Sequence, residues 1–88
     1  MKVYKEKSLH GGVQKQYKFD NGYGASVVKH EFSYGNKNGL WELAVLKWVD
    51  GDDYELDLST EISDDVIGYL TEEEVQELLV RIESLEMK

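Results

Sequence analysis

From Val13 to Phe19 the apolar residues Val13, Tyr17 and Phe19 alternate with Gln14, Gln16 and Lys18, the period-two pattern of a strand with one wet face. Asp20-Asn21-Gly22-Tyr23 follows, and Asn-Gly tolerates the positive φ that tight hairpin turns demand. With Asn21-Gly22 as a two-residue loop, Phe19 should face Gly24, Tyr17 should face Ser26 and Lys15 should face Val28. The small Gly24, Ala25 and Ser26 would leave room for the opposite rings. A second strand is then expected over 24–32, with Val28, His30 and Phe32 on the face of Tyr17 and Phe19. Residues 33–39, Ser-Tyr-Gly-Asn-Lys-Asn-Gly, form a turn-rich connection. Leu40 to Val49 is the most apolar segment, and its Trp, Val and Leu content predicts a central strand buried on both faces. Asp50-Gly51 marks another turn. Tyr54, Leu56 and Leu58 alternate with Glu55 and Asp57 in a half-buried fourth strand. Residues 1–12 read as a loosely ordered edge segment, with a short strand at Val3-Tyr4 and a flexible break at His10-Gly11-Gly12.

The clearest element is the helix at the end. Thr71 and Glu74 have the spacing of a capping box, and Leu70 and Val75 stand at the positions of a hydrophobic staple. Glu72, Glu73 and Glu74 fill the first turn, where the helix dipole favours anions. Val75, Leu78, Leu79, Ile82 and Leu85 trace one apolar stripe to lay on a sheet. Ser63-Asp64-Asp65-Val66 is expected to start a single helical turn ahead of it. The pattern predicts one α+β domain over residues 1–88, an antiparallel meander of three to four strands packed against one C-terminal amphipathic helix, β-β-β-β-α.

Composition narrows the function classes. The chain has 88 residues, 41% hydrophobic and 32% charged, with 18 acids against 10 Lys and Arg for a net charge of −8. That supports one core and argues against a surface that grips nucleic-acid phosphates or anionic lipid. Zero cysteines exclude a disulfide scaffold, a thiol nucleophile and a zinc knuckle, and zero prolines exclude a polyproline ligand. No apolar run is long enough to span a membrane, and the first residues lack a signal peptide's apolar stretch, so a cytoplasmic protein is expected. The charge is uneven. Residues 1–30 hold six lysines against Glu6 and Asp20, whereas residues 31–88 hold 16 acids against Lys37, Lys47, Arg81 and Lys88.

Three strings in order, Phe19-Asp20-Asn21-Gly22-Tyr23-Gly24-Ala25-Ser26-Val27-Val28, Gly39-Leu40-Trp41-Glu42-Leu43-Ala44-Val45 and Asp65-Val66-Ile67-Gly68-Tyr69-Leu70-Thr71, with Ser33-Tyr34-Gly35 between the first two, resemble a family of short tailed-phage and prophage proteins. The resemblance spans residues 15–86. It implies a bacterial cell occupied by a phage or prophage, and an accessory protein that binds and modulates a host protein. The family has no settled activity, so the resemblance transfers no catalytic residues.

Chemistry-bearing motifs are sparse. His10 and His30 are the two histidines, and His30 reads as an ordinary strand residue beside Glu31. Ser26, Ser33 and Ser59 do not stand in a Gly-x-Ser-x-Gly elbow. Gly22-Tyr23-Gly24 lacks the third glycine and following helix of a dinucleotide site, and suits a turn. Asp50-Gly51-Asp52-Asp53-Tyr54-Glu55-Leu56-Asp57 misplaces the glycine and lacks the bidentate Glu of a calcium loop, so it reads as a solvated hairpin tip. No enzyme, metal or cofactor is expected.

The aromatic residues carry the functional expectation. One helix covers one face of a sheet, and Trp41 and Trp48 have opposite parity, so one of them should face away from the helix. Trp41, Trp48, Tyr23, Tyr34 and Lys29 are the candidate partner-binding residues, with Lys18 or Lys29 beside the exposed ring, a composition suited to protein recognition. The same face covered by residues 1–12, or by a second copy in a homodimer, is the alternative. Asp52, Asp53, Asp57, Asp64 and Asp65 are candidates for an acidic face, which would suit a nucleic-acid mimic acting on a DNA-handling host enzyme. A weak single-stranded nucleic-acid binder using the basic hairpin is a third reading.

Overall fold

The computed structural model describes residues 2–31, 38–62 and 65–86. Within them lie six strands and one helix: β1 (Lys5–Leu9), β2 (Gly12–Lys18), β3 (Tyr23–Lys29), β4 (Trp41–Asp50), β5 (Asp53–Leu56), β6 (Ile67–Leu70) and α1 (Glu72–Glu83). The strands form one antiparallel sheet in the order β1-β2-β3-β4-β5, curled as a half-barrel. β6 also pairs with β4, on the edge that β5 occupies further along. The α+β class and the β2–β3–β4–β5 meander match the sequence pattern, but the strand number is larger than four.

β1 replaces the loosely ordered edge segment. Its pattern Lys-Glu-Lys-Ser-Leu carries no apolar alternation because four of its five residues are exposed. His10-Gly11 is a two-residue hairpin turn rather than a flexible break, with φ of +46° and +77° and Leu9 opposite Gly12.

The β2–β3 loop has three residues, not two. The Phe19 N–H donates to the Tyr23 carbonyl at 2.8 Å, and Gly22 (φ +88°) closes the turn. Register therefore moves by one: Lys18 faces Gly24, Tyr17 faces Ala25 and Lys15 faces Val27. A one-residue shift changes which side chains share a face. Tyr17, Ala25 and Val45 lie in one cross-strand row, and Lys15, Val27 and Leu43 in the next. These rows meet Val75, Leu79 and Ile82 of α1 in the core. Each fully buried Leu, Ile or Val there stabilises the fold by roughly 1.5–3 kcal/mol.

β6 takes the place of the expected helical turn. Ile67 faces Leu43 and Leu70 faces Trp41, so three residues of β6 span two of β4, a bulge. Tyr69 absorbs the extra residue at φ +58°, which lets both Ile67 and Leu70 pack on the core despite their odd spacing. Thr71 then caps α1. Its hydroxyl accepts from the Glu74 N–H and the Glu74 carboxylate accepts from the Thr71 N–H, completing the capping box.

The face turned away from α1 is also closed at its centre. Val28, Ala44 and Leu46 are buried there beside Gln14, Gln16 and Ser26. The polar trio is satisfied internally: Gln16 Nε2 donates to Gln14 Oε1 at 3.1 Å, and Gln14 Nε2 donates to Ser26 Oγ at 2.8 Å. The expectation of a broad open sheet face therefore gives way to a smaller opening at one corner.

Candidate functional site

That corner is built around Trp48. β4 register places Trp48 opposite Tyr54, and Leu46 opposite Leu56, on the face away from α1. The Trp48 indole crosses β3 at Gly24 and its Nε1–H donates to the Tyr17 carbonyl at 3.0 Å. Only glycine permits this crossing, since a Cβ at residue 24 would lie 2.0 Å from the Tyr17 oxygen and 2.4 Å from Trp48 Nε1. Tyr54 meets the indole edge-on at 5.1 Å between ring centroids. Tyr4 meets it at 5.3 Å, anchored by its N–H to the Gln16 carbonyl. The Lys18 ammonium lies 5.0 Å from the Trp48 centroid and 5.1 Å from that of Tyr4. It also donates to the Gly51 carbonyl at 2.7 Å.

Charge is organised around the same rings. The Tyr4 hydroxyl donates to Asp52 Oδ1. That bond holds the Asp52 carboxyl below its ordinary range, with Lys5 and Lys18 adding to the effect, and it raises the Tyr4 phenol. Leu56 is 53% exposed and Tyr4 48%, whereas Trp48 and Tyr54 are half-buried. A shallow hollow of about 360 Å³ adjoins the cluster between Lys2, Val3, Tyr4 and Lys18. The N-terminal segment thus lies partly over Trp48, as the alternative reading of residues 1–12 anticipated.

The structure separates the other candidates from this corner. Trp41 lies on the helix face and belongs to the core at 9% exposure. Lys29 sits over Trp41, its ammonium 4.4 Å from the ring centroid, with Lys15 at 5.1 Å, so Lys29 is not beside Trp48. Tyr23 pairs with Lys47 and packs against the core on the helix side, again away from Trp48. The one-residue register shift and the parity of β4 produce these corrections. Tyr34 and Asp64 lie outside the described residues. Tyr4 and Leu56 were missed as site residues; Leu56 carried a signal, because it shares parity with Trp48 across a hairpin.

The acids are divided among separate roles. Asp52 holds Tyr4, and Asp53 opens β5 opposite Asp50. Asp57 accepts from the hydroxyl and N–H of Ser59, which together lower its pKa, and Asp65 accepts from the Val66 N–H. On the helix side, a cleft of about 310 Å³ opens between Tyr23, Ser59–Glu61 and the Ser84–Glu86 end of the chain. Among the described residues, no three His, Asp or Glu side chains stand together in metal-ligating geometry, and no helix is long and apolar enough to cross a membrane.

No family model matches this chain, and neither does any curated protein or solved structure.

Proposed function

We propose that the chain is a non-catalytic binding module whose partner is a protein, engaged through the Trp48 corner. The carrying observation is the exposure of Leu56 and Tyr4 beside half-buried Trp48 and Tyr54 at the outer edge of β5. Rigid aromatic side chains with an aliphatic neighbour are the composition of interface centres, and the rim of Lys18 and Asp52 supplies orientation. The short β5 also offers main-chain donors and acceptors along its outer edge, to which an extended partner segment can add. The resemblance to phage and prophage proteins supplies the setting, in which the partner is a host protein and the binding modulates it.

The test is affinity capture from bacterial lysate with the wild-type chain and with Leu56→Asp, a surface change that leaves Trp48 in place. A stoichiometric protein retained by the wild type and lost from the folded variant supports the reading. Equal retention by both, or retention of DNA alone, overturns it.

A further inference from the structure

The turn between β1 and β2 brings the two histidines together, although they are 20 residues apart in the chain. His10 takes a left-handed φ of +46°, which L-residues adopt at a cost, and its carbonyl accepts from the Glu31 N–H at 3.2 Å. The base of the hairpin presses against the end of β3, since a Cβ on Gly12 would lie 1.9 Å from the Lys29 carbonyl oxygen. The His10 and His30 rings stand with centroids 5.3 Å apart and planes at 72°. Glu31 Oε2 lies 3.6 Å from the position a Cβ would take on Gly11, next to His10.

We propose that His10 and His30 form a divalent-metal site of the zinc class, with Glu31 as the third ligand and water completing the shell. Zinc stands about 2.0–2.1 Å from an imidazole nitrogen, so two imidazoles on one tetrahedral ion have ring centroids roughly 5 Å apart. The observed spacing meets that requirement without backbone movement. The imidazole pair is the preset half of the site. Glu31 is an exposed side chain at the end of β3 and reaches the ion by a rotamer change. Each ring coordinates through one nitrogen and keeps the other for a hydrogen bond. Two imidazoles and a carboxylate select zinc-like ions over magnesium, which favours an all-oxygen octahedron. Bound metal would join the β1–β2 turn to the end of β3.

The test uses the tag-free full chain, titrated with zinc chloride near neutral pH and followed by calorimetry and by imidazole NMR signals. The expected result is one site of roughly micromolar affinity, with the His10 and His30 ring signals moving together and magnesium without effect. His10→Asn preserves the turn, because Asn tolerates positive φ, and should weaken zinc binding at least about tenfold. His30→Gln should do the same, and Glu31→Gln should weaken it by a smaller factor. Zinc spread over several carboxylate sites with unmoved imidazole signals overturns the proposal. So does unchanged affinity in the folded His10→Asn and His30→Gln variants, which would leave the rings as an edge-to-face packing pair.

Discussion

The side-chain nitrogen of Asn21 donates to the main-chain carbonyl of Ile82 at 2.9 Å, joining the β2–β3 turn to the last turn of α1. The same nitrogen reaches the carbonyls of Leu85 at 3.1 Å and Glu83 at 3.2 Å, while Asn21 Oδ1 accepts from the Tyr23 N–H. One buried carboxamide thus satisfies helix-end carbonyls that otherwise have no partner. A capping interaction from outside the helix makes the hairpin and the helix one unit.

Replacing Asn21 should expose that coupling. Asn21→Ala removes the donor and should cost about 1–3 kcal/mol, because the buried carbonyls lose their partner. Asn21→Asp is the sharper test. Aspartate suits the turn as well as asparagine does, yet its carboxylate would face the carbonyl oxygens and the negative end of the helix. Denaturant melts should rank wild type above Ala and Ala at or above Asp. Equal stability for Asn and Asp would remove the capping role.

Gly24→Ala should be among the most destabilising single-methyl additions in the chain. The added carbon meets Tyr17 main chain on one side and the Trp48 ring on the other. A cost of about 2 kcal/mol or more is expected, because backbone has to move. Trp48→Phe in the Gly24→Ala background should recover part of that loss by vacating the indole edge. A double-mutant cycle on thermal or chemical unfolding measures the recovery.

Tryptophan emission should divide into a shielded and an accessible part. Trp41 is in the core and Trp48 is half-buried under Tyr4. Tyr4→Ala should therefore increase acrylamide quenching of the wild-type Trp48 signal, and Trp48→Phe should leave emission that resists quenching. Unchanged quenching in Tyr4→Ala would mean that the N-terminal segment does not shield the indole in solution.

The capping box predicts a specific acid sensitivity. The Thr71 N–H lowers the Glu74 carboxyl below its ordinary value, so the stabilising anion is fully present above the unfolded-state pKa. It is lost as pH falls through the lower folded value. Glu74→Gln retains a side chain that accepts from the Thr71 N–H but does not titrate. Its stability should thus fall less steeply than that of wild type from about pH 5 downward. Circular dichroism melts across that range test it, and parallel curves for the two proteins would contradict it.

Much of the architecture was legible where one residue type had one structural job. Thr71, Glu74, Leu70 and Val75 specify the start of α1 by local chemistry, and β4 reads as a strand buried on both faces because its apolar run is unbroken by turns. The rest depended on partners distant in sequence. Ile67 and Leu70 have helical spacing, and only the bulge at Tyr69 against β4 makes them strand neighbours. Asn21-Gly22 marked a hairpin correctly, but its three-residue form leaves the Asn21 side chain on the helix end. That single residue of register decided which aromatic residues share a face. The opposite parity of Trp41 and Trp48 was visible, whereas which of the two stays in the core follows from where α1 docks.

The arrangement along β4 has a consequence for how this chain tolerates change. The Asp57 N–H still bonds the Val45 carbonyl as the chain leaves β5, and Ile67 rejoins the same edge opposite Leu43. The segment between them departs and returns within two β4 positions, so its ends are held at a fixed short separation whatever its length. Lengthening such a tethered excursion costs little, since closure entropy grows only logarithmically, at about 0.6 kcal/mol per doubling. Residues 58–61 are therefore the natural place to graft a peptide tag or a second domain, with the sheet registering neither the size nor the identity of the cargo.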